Sequence, residues 1–227
     1  MTALALQDAR SHRPAFRSTG TENSERRSRH STGFHVRLLI GAFLALLIAA
    51  ATGLGATWLA LTRGTAFGAI TIGAWTAWPK TGTADIDPYA RAAVARSGEL
   101  PIGSGDGIAF HARSDDAGNA LDGRCETLLR GVTPAARFWT LTLYDPEGRL
   151  VANSANRYGF TSQEITRFSD GSFQIVVAPR ARPGNWLPSG GADRYVLVLR
   201  LYDTPVGAAT RIGREAPMPS IARRACP

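Results

Sequence analysis

Residues 38–62 read LLIGAFLALLIAAATGLGATWLALT, twenty-five positions without a charge, held between Arg37 and Arg63. At about 1.5 Å rise per residue a helix of that length is roughly 37 Å long, enough to cross a hydrocarbon core of about 30 Å with some tilt. A helix packed in a water-soluble core has no need of such a run. The expectation is a single transmembrane helix at 38–62, which divides the chain into an N-terminal tail, 1–37, and a C-terminal domain, 66–227.

The flanking charges orient that helix. Residues 1–37 hold seven Arg against Asp8, Glu22 and Glu25, whereas Arg63 is followed by no charge until Lys80. An excess of basic residues marks the cytoplasmic side, so the tail is expected in the cytoplasm, the span in the inner membrane and the C-terminal domain in the periplasm. Rich in Ser, Thr, Arg and His, the tail has too little apolar surface to fold and is expected to be disordered. Ala49-Ala50-Ala51 is a small-x-small site at which the same run could be cleaved as a signal peptide. The uncleaved anchor is preferred because Trp58, Leu59, Ala60 and Leu61 carry the apolar run beyond it. A start at Val36 would leave an Arg37-led segment of ordinary signal form, and that alternative stays open.

The net charge of +8 invites a nucleic-acid reading. Its distribution argues against one, because residues 1–63 hold eight basic and three acidic groups, which leaves the rest of the chain with 18 basic and 15 acidic. A surplus of three spread over a domain is not the clustered basic footprint that phosphate binding requires.

Cys125 and Cys226 both fall on the exported side. In an oxidising compartment an even pair reads as a disulfide, one that would tie the C-terminus back to an early strand; two separate thiols are the alternative.

Beyond residue 64 the periodicity is mostly two. In residues 138–144 Trp139, Leu141 and Leu143 alternate with Thr140 and Thr142, and Asp145-Pro146-Glu147-Gly148 is a turn leading into 149–152, a hairpin pattern. Residues 195–202 repeat the alternation, with Leu197, Leu199 and Leu201 opposite Val196, Val198 and Arg200. Residues 173–177 follow a Ser169-Asp170-Gly171-Ser172 turn, and 69–78 and 108–113 add candidate strands on either side of one short helix. That helix is punctuated by Asp87 as N-cap, Pro88 at its first position and Gly98 after Arg96. Short strands between Gly, Pro and Asp turns predict a mainly β fold, an antiparallel sandwich or barrel.

Six segments carry a family resemblance: RFWTLTLYD (137–145), LVAN (150–153), RYGF (157–160), DGS (170–172), NWLP (185–188) and LVLRLYD (197–203). In this order they resemble the bacterial family catalogued as domain of unknown function 1214. One span followed by GAWTAWP (73–79) is similar to the short membrane-anchored members found in alphaproteobacteria. Longer relatives carry a second domain ahead of this one, and none is expected here. The resemblance implies a jelly-roll-like antiparallel β-sandwich in the cell envelope and brings no settled activity with it.

Catalytic signals are sparse. His111 is the one histidine of the exported domain, no Gly-x-Ser-x-Gly elbow accompanies it, and Gly103-Ser104-Gly105 reads as a loop. Asp106, Asp115, Asp116 and Asp122 lack the spacing of a calcium loop. No metal and no cofactor is therefore expected.

What remains is a polar and aromatic set, Asp145, Arg157, Tyr158, Asn185, Trp186, Arg200 and Tyr202. Its structural reading has Asn185 closing its own loop, Trp186 and Leu187 plugging one end of the sandwich, and Arg200 paired with Asp145 across neighbouring strands. Its functional reading is a cleft in which Arg and Asn hold an anionic or sugar-like group and the aromatics stack on it. The function expected is a non-catalytic envelope module that binds a glycan, a small ligand or another envelope protein. The alternative is a hydrolase-like enzyme using Asp145 or His111 as base with Arg157 and Asn185 stabilising charge.

Overall fold

A computed structural model of the chain describes residues 22–62, 68–97, 100–103, 105–207 and 216–226. The tail before Glu22, Arg63, Gly98 and Ser104 lie outside the described residues. The chain divides into two units, Met1–Thr57 and Trp58–Pro227.

Most of α1 (Glu22–Thr62) falls in the first unit. Within it Phe34–Ala60 is long and apolar enough to cross a membrane. Side chains such as Phe43, Leu46, Ile48 and Leu54 are exposed. A helix apolar on every side is stable where lipid, not water, surrounds it. The helix starts well before the apolar run, so residues 22–37 are helical where the composition predicts disorder. Once a helix is nucleated each further residue adds a hydrogen bond at little cost, and this stretch contains no proline to stop it.

The second unit is mainly β, in two sheets. The larger has six strands in the order β1 (Ile70–Ile72), β2 (Trp75–Ala77), β3 (Gly107–Ala112), β9 (Val196–Tyr202), β5 (Phe138–Tyr144), β6 (Gly159–Thr161), every pair antiparallel. The smaller has four, β10 (Ser220–Ala225), β4 (Glu126–Gly131), β7 (Phe173–Ala178) and β8 (Asn185–Pro188). Register carries one buried row across all six strands of the larger sheet: Ile70, Ala77, Phe110, Leu199, Leu141 and Phe160. The smaller sheet turns Leu129, Ile175, Val177 and Leu187 into the same core. Trp139 of one sheet meets Phe173 of the other with ring centroids 5.4 Å apart. Each side chain of this size contributes about 1.5–3 kcal/mol on leaving water, which makes the interface between sheets the main source of stability.

Three strand expectations change. Residues 69–78 form two strands rather than one, because Gly73 at φ +56° turns the chain between β1 and β2. The 138–152 hairpin keeps its turn, with the Asp145 N–H donating to the Arg149 carbonyl at 2.8 Å, but pairing beyond it is a single bridge between Tyr144 and Leu150. Strand β5 finds its partners in β6 and β9 instead. Nor are the sheets wholly antiparallel: β8 runs parallel to β7, joined to it by residues 179–184. So short a parallel connection works because β8 is only four residues long and Asn185 sits beside Ile175, a small step back along β7.

Two long-range ties close the fold. Asp116 accepts from the Ala74 N–H at 3.3 Å and the Ile221 N–H at 2.8 Å, linking the first hairpin to the last strand. Cys125 and Cys226 are bonded, their Cα atoms 4.1 Å apart, at matching ends of the antiparallel pair β4–β10.

Candidate functional site

Strand β9 lies in the middle of the larger sheet and is buried on both faces, Leu197, Leu199 and Leu201 inward, Val196 and Val198 outward. The outer face is thus covered in part, and the cover begins with α2 (Pro88–Ser97). Asp87 caps this helix as expected, its Oδ1 accepting from the Tyr89 and Ala90 N–H groups at 2.9 and 3.2 Å. Ala90, Ala93 and Val94 stand at i, i+3 and i+4 and therefore share one face. That face looks into a cavity of about 200 Å³ whose floor is the outer surface of β3 and β9. Pro101 and Ile102 complete the apolar wall. Gly82 packs so closely on the Ile102 carbonyl that a Cβ would stand 2.9 Å from its carbon, so the two segments roofing the cavity meet only because this residue has no side chain.

The polar lining comes from the sheet. Ala109, His111 and Arg113 project from the same face of the β3 segment, and Arg200 lies on β9 opposite Ala109. Arg113 and Arg200 consequently bracket His111, one row to either side. Burial first, and then the positive fields of Arg113 and Arg200, lower the His111 pKa to about 4. The imidazole is uncharged at neutral pH, and Trp78 meets it edge-on at 5.7 Å. Past these residues the groove opens into a second chamber of about 490 Å³ bordered by Tyr144, Asp145, Glu147 and Val196. Leu100, His111, Arg113 and Arg200 line both chambers.

Arg200 does not pair with Asp145. Its guanidinium lies over the Tyr144 ring, 5.5 Å from the centroid, and donates to the Tyr144 hydroxyl at 3.3 Å. Asp145 is occupied by Arg149, whose backbone N–H and Nε both donate to it at 2.8 Å. The backbone bond and then the guanidinium hold the Asp145 carboxyl below the usual carboxylate range.

The rest of the polar set is engaged elsewhere. Asn185 accepts from the Thr166 N–H at 2.9 Å and donates to the Thr166 and Gln174 carbonyls at 2.8 Å each, so it ties β8 to the preceding loop and to β7 rather than closing its own loop. Arg157 donates to the Trp186 carbonyl at 3.0 Å and covers the Phe160 ring. The Trp186 indole donates to the Ala178 carbonyl at 3.0 Å, and Leu187 alone of that pair enters the core. The Tyr158 carbonyl accepts from Leu143, and the Tyr202 ring stacks on Phe138 at 5.9 Å. Of the seven residues, Asp145 and Arg200 border the groove, and Arg157, Tyr158, Asn185, Trp186 and Tyr202 line neither chamber. Asp145, Arg157 and Asn185 therefore do not converge on it. Arg113 and Trp78 were missed by sequence reasoning. The period-two pattern that puts Arg113 on the face of His111 was a legible signal, but nothing local says that the two face a cavity. Among the described residues no group of three or more His, Cys, Asp or Glu is arranged to hold a metal ion.

A two-sheet β domain behind a helix of membrane-spanning length is the class of protein this architecture defines. Residues 106–206 match the family described as "Protein of unknown function (DUF1214)". The VPA0106 protein from Vibrio parahaemolyticus is similar over 61% of this chain and 36% of its own, at 20% identity and a TM-score of 0.49. An uncharacterized protein from Burkholderia cenocepacia is similar over 75% of this chain and 41% of its own, at 18% identity and a TM-score of 0.38. The chain thus spans less than half the length of either solved structure. A comparison with curated proteins found no match.

Proposed function

We propose that this chain is a single-pass protein of the inner membrane, of the short membrane-anchored type, whose β domain faces the periplasm and binds a small ligand between α2 and the six-stranded sheet. The observation that carries the binding reading is the cavity itself: apolar walls from a helix, and a few polar groups gathered on its floor, the composition typical of ligand sites. Binding is preferred to catalysis on chemical grounds. A general base works best with a pKa near the operating pH, and His111 at about 4 is a poor proton acceptor. Asp145 is fixed in its own turn by Arg149. The periplasmic orientation rests on the Arg excess ahead of the span and is supported by the bonded cysteine pair.

Two measurements test this. An alkaline phosphatase fused after Pro227 is expected to be active in cells; an inactive fusion beside a fluorescent cytoplasmic reporter at the same point would reverse the topology. For the site, 3-phenylpropanol is titrated into the full chain in detergent and followed by saturation-transfer NMR, with empty micelles as control. Transfer is expected for the wild type and not for Ala93→Trp, which fills the cavity. Equal transfer in both would remove the site.

A further inference from the structure

The groove has two chambers of unlike character, and its two arginines, Arg113 and Arg200, line both. Under α2 the walls are Ala90, Ala93, Val94, Pro101 and Ile102. Past Arg200 the border is Tyr144, Asp145, Glu147 and Gly148. At the seam stand Arg113 and Arg200, with His111 between them in the register of β3 and β9.

Building on the binding reading above, we infer that the ligand is an amphiphilic anion: an apolar body of about ring size seated under α2, with one carboxylate or phosphoryl group held at the seam by Arg113 and Arg200. Size comes from the chamber, since a cavity of about 150 Å³ accepts benzene and this one holds about 200 Å³. Sign comes from the arginines. A guanidinium presents a planar fork of donors that matches a carboxylate or phosphoryl group, and its charge is permanent. Both carboxylates at the far border, Asp145 and Glu147, are bonded to Arg149, which leaves one net negative charge there against the two positive charges at the seam. The Tyr144 hydroxyl and ring keep Arg200 on the sheet surface, which reduces the freedom it has to lose on gripping an anion. A cationic ligand would meet two like charges at the seam. A neutral one would gain no charge-assisted contact from either guanidinium.

Three probes with one body separate these cases: 3-phenylpropionate, 3-phenylpropanol and 3-phenylpropylamine, each titrated into the full chain in detergent with empty micelles as control. The carboxylate is expected to bind about tenfold more tightly than the alcohol, the worth of one charge-assisted contact, and the amine more weakly than either. Arg113→Gln is expected to remove the carboxylate's advantage over the alcohol. Arg200→Gln should do the same, and Arg113→Gln carries the test if the loss of the Tyr144 contact unfolds that second variant. 3-Phenylpropyl phosphate tells the two anions apart, since a phosphoryl site would favour it over the carboxylate. Alcohol and carboxylate binding equally, or an advantage that survives Arg113→Gln, would overturn the anion while the cavity reading stands. Failure of all the probes would overturn both.

Discussion

The guanidinium of Arg200 reaches along the outer face of the six-stranded sheet to the ring of Tyr144, 5.5 Å from its centroid. In the register of β9 and β5, Arg200 is opposite Thr140 and Tyr144 is opposite Val196, so the side chain must pass the Val198–Thr142 row to make this contact. A long basic side chain laid over aliphatic residues shields them while keeping its charge at the rim. This accounts for Val196 and Val198 being 8% and 4% exposed on the face that does not point into the core. It also holds the charge beside His111, where the candidate site lies.

The depressed pKa of His111 gives the fold a pH dependence with a definite sign. The unfolded chain takes up a proton at about pH 6.5 and the folded one only near 4, so stability is fully present above about 6.5 and falls as pH drops through that window. The loss approaches about 3 kcal/mol at its limit. Urea melts of the full chain at pH 7.5 and 4.5 are expected to show a larger drop for wild type than for His111→Asn, by about 2 kcal/mol. Equal drops would mean that the imidazole is not the group responsible.

Cys125 and Cys226 close a loop of 101 residues in sequence. Loop-closure entropy credits such a bridge with up to about 4.7 kcal/mol. Replacing either cysteine by serine should lower stability by about 3–5 kcal/mol, read as a lower urea midpoint. Thiol labelling of denatured, unreduced wild-type protein should find no reactive cysteine, and two labelled thiols per chain would contradict the bridge.

Asn185 serves three backbone groups on two other segments, one of these bonds partly buried, whereas the Arg157 side chain makes one exposed hydrogen bond and lies over the Phe160 ring. Asn185→Ala is therefore expected to cost about 2 kcal/mol and Arg157→Ala less than about 1. Thermal melts of the two variants decide the order. A ranking in which Arg157→Ala is the more damaging would show that its contact with the Trp186 carbonyl has been undervalued.

Gly82→Ala tests the roof of the cavity. The added methyl would stand 2.9 Å from the Ile102 carbonyl carbon and 3.0 Å from the Gly103 Cα. Backbone must shift to make room, at about 1–3 kcal/mol. The variant should melt lower than wild type, and Trp78 fluorescence should change, since Thr81 and Ile102 line the cavity that Trp78 borders. A melt and an emission spectrum identical to wild type would mean that the loop relieves the clash freely.

Much of this protein is written locally. The uncharged run, the Asp87-Pro88 helix start, the alternation of 138–144 and 195–202 and the even pair of cysteines each correspond to an element found in the structure. Span length, capping and period two depend on neighbouring residues only, which is why they can be read from a string. The family resemblance carried by 137–145 and 197–203 is legible for the same reason, and both segments fall within the matched residues 106–206.

Other features became definite only in three dimensions. The residues of β5 do not say that their partners are β6 and β9 rather than the chain that follows the turn, nor do those of β8 say that it will run parallel to β7. Likewise Arg200 carries no mark of its partner: Asp145 and Tyr144 are adjacent in sequence and both chemically suitable, and the choice fell to the residue that shares its sheet face while Arg149 had already taken the carboxylate. The site follows the same logic. Trp78, Ala93, Arg113 and Arg200 come from four separate segments, and they meet because strand register, set by burying one face of each strand in the common core, decides what the opposite face brings together.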